Sequence, residues 1–305
     1  MKACFFILAS IFLSVGNSSF GQETLFEGKV IDQRTKQPII YATIEIKTQK
    51  IGTYTDSTGD FSILYENLND TLECNSLGYE MQKNSIRDLN NSTSIIELEP
   101  HIFELKEVVV LPKKVRTMRL GTTSKKPWKF QIANVFGGQY GTYIKNEYKK
   151  TGKVKAVSFY IAKIGFPDAP FRIRIYAKDQ INECPGKDLL NESVIVSNTK
   201  GEGWFTVDIS DYGIIFPVDG MYVMMEWVYS GDQYYYDYEH EIKTKDGKSK
   251  TRTYHVYGLS LGNVWKQPDE GYWCKGLGDT WNIMNDYYKG YVDVMINADI
   301  EFQIE

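Results

Sequence analysis

Gly52-Thr53-Tyr54-Thr55-Asp56-Ser57-Thr58-Gly59-Asp60-Phe61 reads as strand, tight turn and strand. Thr53, Tyr54 and Thr55 favour extended backbone, because β-branched and aromatic side chains pack well on a pleated surface. In Asp56-Ser57-Thr58-Gly59 the carboxylate and hydroxyls can hydrogen-bond nearby backbone, and Gly59 accepts a positive φ at no steric cost. Phe61, Ile63 and Tyr65 then alternate with Asp60, Ser62 and Leu64, a mostly period-two pattern interrupted at Leu64. Such a hairpin predicts a small all-β domain at the start of the chain.

The surrounding strands follow in order. Leu25 to Ile31 is the first, and the polar run Asp32 to Pro38 is a turn by composition. Ala42-Thr43-Ile44-Glu45-Ile46-Lys47 alternates, with Ala42, Ile44 and Ile46 on the buried face. Asp70 to Asn75 is another strand, Leu77-Gly78-Tyr79-Glu80 a bend, Ser94 to Leu98 a short strand, and Leu105 to Val110 the last. Short strands at this spacing, punctuated by turn signals, predict a β-sandwich.

Gly28-Lys29-Val30-Ile31-Asp32, Pro38, Ala42-Thr43-Ile44, Thr55-Asp56 with Gly59 and Phe61, Leu77-Gly78-Tyr79-Glu80, and Leu105-Lys106-Glu107-Val108-Val109-Val110 stand in that order. As a set they resemble the carboxypeptidase-regulatory-like domain of Bacteroidetes envelope proteins, a small transthyretin-like β-sandwich. The resemblance covers residues 25–111. It implies an accessory module and not a peptidase. A metallocarboxypeptidase binds zinc through His-x-x-Glu, and the histidines here are His101, His240 and His255. His101-x-x-Glu104 has the spacing, but it follows Pro100 at a domain end and reads as a surface loop.

Residues 22–111 are therefore the first sandwich, 112–125 a basic linker containing Pro112, and 126–305 a larger domain. In that larger domain Phe171, Ile173 and Ile175 face one way and Arg172 and Arg174 the other. Trp204 to Ile209 alternates similarly, and Met221 to Tyr229 is dense enough to be a central strand buried on both faces. Without a competing helical period, the pattern predicts a second, jelly-roll-like sandwich, so the fold class is all-β. This half is also similar to modules found behind regulatory-like domains in Bacteroidetes proteins, a likeness of fold that transmits no function.

Compartment is legible at the N-terminus. Lys2, the apolar run Cys4 to Val15 and the small residues of Ser19-Phe20-Gly21 read as a signal peptide over residues 1–21, with Gln22 as the mature start. The run is too short to span a bilayer comfortably, and no other stretch is long and apolar enough. The expected location is the periplasm, the outer-membrane surface or the extracellular space. Cys74, Cys184 and Cys274 remain after cleavage, so at most one bridge can form; Cys184–Cys274 and unpaired thiols stay open as alternatives. A formal net charge of −4 gives no nucleic-acid footprint.

No nucleophile elbow or phosphate loop is present, and nothing calls for a metal or another cofactor. The chain reads as non-catalytic. Its most suggestive patch is Gly231-Asp232-Gln233-Tyr234-Tyr235-Tyr236-Asp237-Tyr238, where Tyr234, Tyr236 and Tyr238 would share one face of a strand and Tyr235 the other. Sugar rings pack their C–H faces on aromatic rings, and Asp232 and Asp237 can accept hydroxyl hydrogen bonds. The plainer alternative is a hairpin whose tyrosines serve the core. The two expectations are an exported binding module for carbohydrate or another envelope component, and an envelope assembly protein making protein contacts only.

Overall fold

A computed structural model describes residues 23–90, 94–101, 114–133, 136–243, 247, 249–265, 272–284 and 292–304. The predicted signal peptide and the strand predicted over Leu105 to Val110 lie outside the described residues.

The first unit contains β1 (Thr24–Asp32), β2 (Thr43–Ile46), β3 (Ile51–Tyr54), β4 (Asp60–Tyr65), β5 (Thr71–Asn75), β6 (Gln82–Ser85) and β7 (Ile95–Leu98), with the short helix α1 (Ile86–Asn90). Strand order is β4-β1-β7 in one sheet and β3-β2-β5-β6 in the other. Strand β1 runs antiparallel to β4 and parallel to β7. The inward residues Val30, Ile44, Ile46, Leu72, Cys74 and Leu98 are fully buried, as expected where one face of each sheet meets the other.

The turn between β3 and β4 has the predicted chemistry. Asp56 Oδ1 accepts from the backbone N–H of Thr58 at 2.8 Å and of Asp60 at 3.0 Å. Gly59 has φ 78°, and a Cβ there would lie 2.7 Å from the Val30 carbonyl oxygen. Gly59→Val is therefore expected to destabilise the chain by about 1–3 kcal/mol, through strain and this contact. Thermal melting of the full chain measures it, and an unchanged midpoint would contradict the turn.

The second unit contains β8 (Val115–Gly121), β9 (Lys129–Ala133), β10 (Gln139–Ile144), β11 (Gly152–Gly165), β12 (Phe171–Lys178), β13 (Pro185–Asp188), β14 (Val194–Val196) and β15 (Gly203–Asp208). It continues through β16 (Ile215–Phe216), β17 (Met221–Trp227), β18 (Tyr235–Lys243), β19 (Ser249–Trp265), β20 (Tyr272–Lys275), β21 (Asn282–Ile283), β22 (Val292–Val294) and β23 (Ile296–Gln303). One sheet runs β13-β12-β17-β10-β20-β21 and the other β18-β19-β11-β23-β8, with short strands attached at their flanks. Phe171, Ile173, Ile175, Val223, Met225 and Trp227 of the first sheet pack on Val157, Phe159, Leu259, Leu261, Ile296 and Ala298 of the second. The protein is thus all-β, in two sandwiches.

Val115–Gly121, within the segment read as linker, is an edge strand of the second sandwich, paired antiparallel to β23. Its charged composition hides a strand pattern. Met118 and Leu120 pack against the core, while Arg119 makes a two-pronged ion pair with Asp299 at 2.7 Å. The cysteines Cys74, Cys184 and Cys274 are free. Cys184 packs against the Tyr222, Met224 and Trp273 cluster on the outer face of its sheet. Cys274, the next residue along β20, faces the other way, so strand alternation separates the two thiols.

Candidate functional site

The first sandwich docks on the outer face of the sheet containing β12 and β17, and this decides what surrounds the site. Arg172 sits directly opposite Glu226 in the antiparallel ladder, so both side chains point outward, away from Ile173 and Met225. In an uncovered sheet these groups would be solvated. Here they are 2% and 1% exposed, and Arg174 is 6% exposed.

A closed charge cluster results. Arg174 Nε donates to Glu226 Oε2 at 2.6 Å, and Arg172 Nη1 lies 3.4 Å from Glu226 Oε1. The Tyr54 hydroxyl donates to Glu226 from the first sandwich, and Arg172 Nη2 donates to the Tyr41 carbonyl at 2.6 Å. Asp188 adds a second carboxylate 3.2 Å from Arg174. Burial by itself would raise the Glu226 carboxyl; the guanidinium groups of Arg174 and Arg172 and the Tyr54 hydroxyl outweigh it and hold the carboxyl at about 2. Burial raises Asp188 in spite of Arg174. A second contact pins the far side of the junction: Gly278 N donates to Glu45 Oε1 at 2.9 Å, and Lys50 pairs with Asp279 at 3.2 Å.

Beside the cluster the two sandwiches part to form an open cleft of about 1000 Å³. Glu27, Tyr41, Thr53 to Ser57, Asp60 and Ser62 line it from the first sandwich; Phe136 and Tyr229 to Gly231 line it from the second. Tyr54 belongs to both cleft and cluster. From it a ridge of rings runs outward: Tyr54 to Phe136 at 6.1 Å between centroids, Phe136 to Tyr229 at 5.1 Å, and Tyr229 to Tyr257 at 6.0 Å. Tyr257 then meets Tyr234 at 6.4 Å and Tyr235 at 4.8 Å. The ridge joins the β3–β4 hairpin to the tyrosine patch, about 180 residues later in the chain.

The structure places the residues singled out in the patch as follows. Asp232 to Tyr234 form a 3-10 turn, so Tyr234 precedes the strand. Asp232 is exposed at the mouth of the cleft and accepts the Tyr229 hydroxyl at 2.8 Å, which with burial pushes that hydroxyl up to about 12. Tyr236 and Tyr238 share one face of β18, and Tyr235 the opposite face, where it stacks on His255. Phe166 meets Tyr234 and Tyr236 edge-on, each at 5.8 Å, and Phe130 meets Tyr238 edge-on at 5.6 Å. Asp237 is exposed and lies 2.9 Å from His255 Nδ1.

Tyr236 is half-buried, and its hydroxyl is buried without a hydrogen-bond partner among the described residues. Removing only that hydroxyl removes an unsatisfied group, so Tyr236→Phe is expected to leave stability unchanged or raise it. Tyr236→Ala, which opens space beside Phe166, is expected to cost about 1–3 kcal/mol. Equilibrium denaturation of both variants checks the ordering, which reverses if the hydroxyl makes an essential bond.

Sequence reasoning did not assign Glu226, Arg172, Arg174, Tyr54 or Phe136 to a site. A signal was present for three of them. Glu226 is the one charged residue in the apolar run Met221 to Val228, and Arg172 and Arg174 alternate in the neighbouring strand. Among the described residues no group of three or more His, Cys, Asp or Glu converges as a metal site. His101 bonds Glu80, and Glu104 lies outside the described residues. Among the described residues no helix is long and apolar enough to cross a membrane.

Residues 26–110 match the family model of the CarboxypepD_reg-like domain, a domain of a non-catalytic kind. A solved structure, a DUF3823 family protein from Parabacteroides merdae, is similar at 12% identity over 68% of this chain and 98% of that one, with a TM-score of 0.19. No curated protein matches the chain.

Proposed function

We propose that the chain is an exported, non-catalytic binding protein that takes carbohydrate of the cell envelope in the cleft between its two sandwiches. The observation that carries this reading is the run of rings Tyr54, Phe136 and Tyr229 along one wall of that cleft, backed by the buried Tyr257. Aromatic faces suit the C–H faces of sugar rings, and such a ligand also needs hydrogen-bonding groups at its rim. Asp56, Ser57, Asp60, Ser62 and Ser230 supply them here. Asp232 and Tyr234 extend the surface at its mouth, with Tyr236, Asp237 and Tyr238 further along β18.

Screening the chain from Gln22 onward on a glycan array tests the reading, followed by titration of any ligand found. Tyr229, exposed on the ridge, is the residue to remove. One stacked ring contributes about 1 kcal/mol, so Tyr229→Ala is expected to weaken binding roughly five- to tenfold with little change in stability. A chain that binds no glycan, or a Tyr229→Ala variant that binds as well as the parent, would overturn it.

A further inference from the structure

Beyond Tyr238, which meets Phe130 of β9, the hairpin of β18 and β19 carries an arm that no other described element covers. From Glu239 to Glu241 and from Ser249 to Thr253 every residue is exposed, whereas β19 is buried without a break from Val256 to Val264. The ladder is regular, pairing Asp237 with His255, Glu239 with Thr253, Glu241 with Thr251, Tyr238 with Tyr254 and His240 with Arg252. Residues opposite one another share a face. One face of the arm therefore carries Glu239 and Glu241, beyond the Asp237–His255 pair at its base. The other carries Tyr238, His240, Lys250, Arg252 and Tyr254, with the Arg252 guanidinium 5.8 Å from the Tyr254 ring.

A two-stranded ribbon solvated on both sides gains little stability by itself, and like charges in a row on one face oppose each other. Contact with a surface of opposite sign relieves both. The arm holds such a surface, but on its own reverse side, where it cannot reach. A second copy can reach it. Pairing acidic face with acidic face about a two-fold axis would set carboxylates against carboxylates. The favourable pairing is head to tail, which closes into a ring or runs on as a chain.

We propose that this arm is a self-association surface, on which the acidic face of one copy docks against the aromatic and basic face of the next. The inference is independent of the carbohydrate reading, which concerns the cleft. Sedimentation velocity over a concentration series of the chain from Gln22 onward tests it. The parent protein is expected to associate as concentration rises, and less so at high salt.

Glu239→Lys with Glu241→Lys gives two basic faces, and Lys250→Glu with Arg252→Glu gives two acidic ones. Each pair of substitutions is expected to weaken self-association by about tenfold or more. Mixing the two variants should restore association, because the basic faces of one then meet the acidic faces of the other. All four positions are exposed, and circular dichroism of each variant confirms that folding is retained. A monomeric parent protein, association indifferent to either reversal, or reversed variants that fail to associate when mixed would each overturn the proposal.

Discussion

Glu226→Ala is expected to destabilise the protein by about 3–5 kcal/mol, the usual cost of removing one partner from a buried ion pair. The cost arises because Arg172 and Arg174 would stay enclosed at 2% and 6% exposure, answered among the described residues by Asp188, the Tyr41 carbonyl and the face of the Tyr54 ring. Tyr54 would lose its acceptor at the same time, so the two sandwiches would lose one of the hydrogen bonds they share. Equilibrium denaturation gives the magnitude. Trypsin, with sites at Lys106, Lys113 and Lys114, tests the location. After cut parent protein is passed over a sizing column, its two sandwiches should co-elute, whereas those of the variant should separate.

The same carboxylate predicts an acid limb. Glu226 is held at about 2 when folded, against an ordinary 4.5. A depressed carboxyl stabilises the fold above its unfolded value, and that contribution is lost as pH falls from 4.5 towards 2. Its size is about 3 kcal/mol. Asp188, raised by burial, pulls the opposite way, so the net change is smaller. Glu226→Ala should flatten stability against pH within this window, and an unchanged slope would mean that the cluster does not set the acid limb.

Gly141→Val is expected to cost about 3 kcal/mol, at the upper end for overpacking. Gly141 lies in β10 between Met224 of β17 and Trp273 of β20. A Cβ there would overlap the Val223 carbonyl oxygen and the Met224 sulfur. The sulfur can swing aside; the carbonyl belongs to the ladder and cannot move without breaking it. Since this face of the sheet carries the Tyr222, Met224 and Trp273 cluster, the loss should appear as a lower melting temperature of the second sandwich. A neutral result would mean that β10 and β17 can separate at no cost.

The strands and the first turn were legible because their causes are local. Phe61, Ile63 and Tyr65 announce a one-sided strand by spacing alone, and all three are buried. Asp56 and Gly59 announce the turn by what a carboxylate and a residue without Cβ can do within four positions. In the tyrosine patch alternation correctly separated Tyr235 from Tyr236 and Tyr238, but it missed the 3-10 turn that takes Tyr234 out of the strand. Propensity at that point was uniform, and the turn is set by Gly231, whose φ is 125°.

By itself, then, the sequence determined the all-β class, the two sandwiches and, in strands with clear alternation such as Asp60–Tyr65 and Phe171–Lys178, which face turns inward, since period-two patterning is a property of neighbours along the chain. It also determined that Arg172 and Arg174 point away from the second sandwich's core, while the ladder pairing of Arg172 with Glu226 places Glu226 beside them. Only the tertiary structure decided what they point at. Their enclosure, the cleft and the ring ridge all join Tyr54 to residues more than 80 positions away, and contacts at such separation leave no periodic trace in one sequence. The docking of one sandwich on the other turned outward-facing arginines from solvated groups into buried ones, because the cost of a charge depends on what covers it.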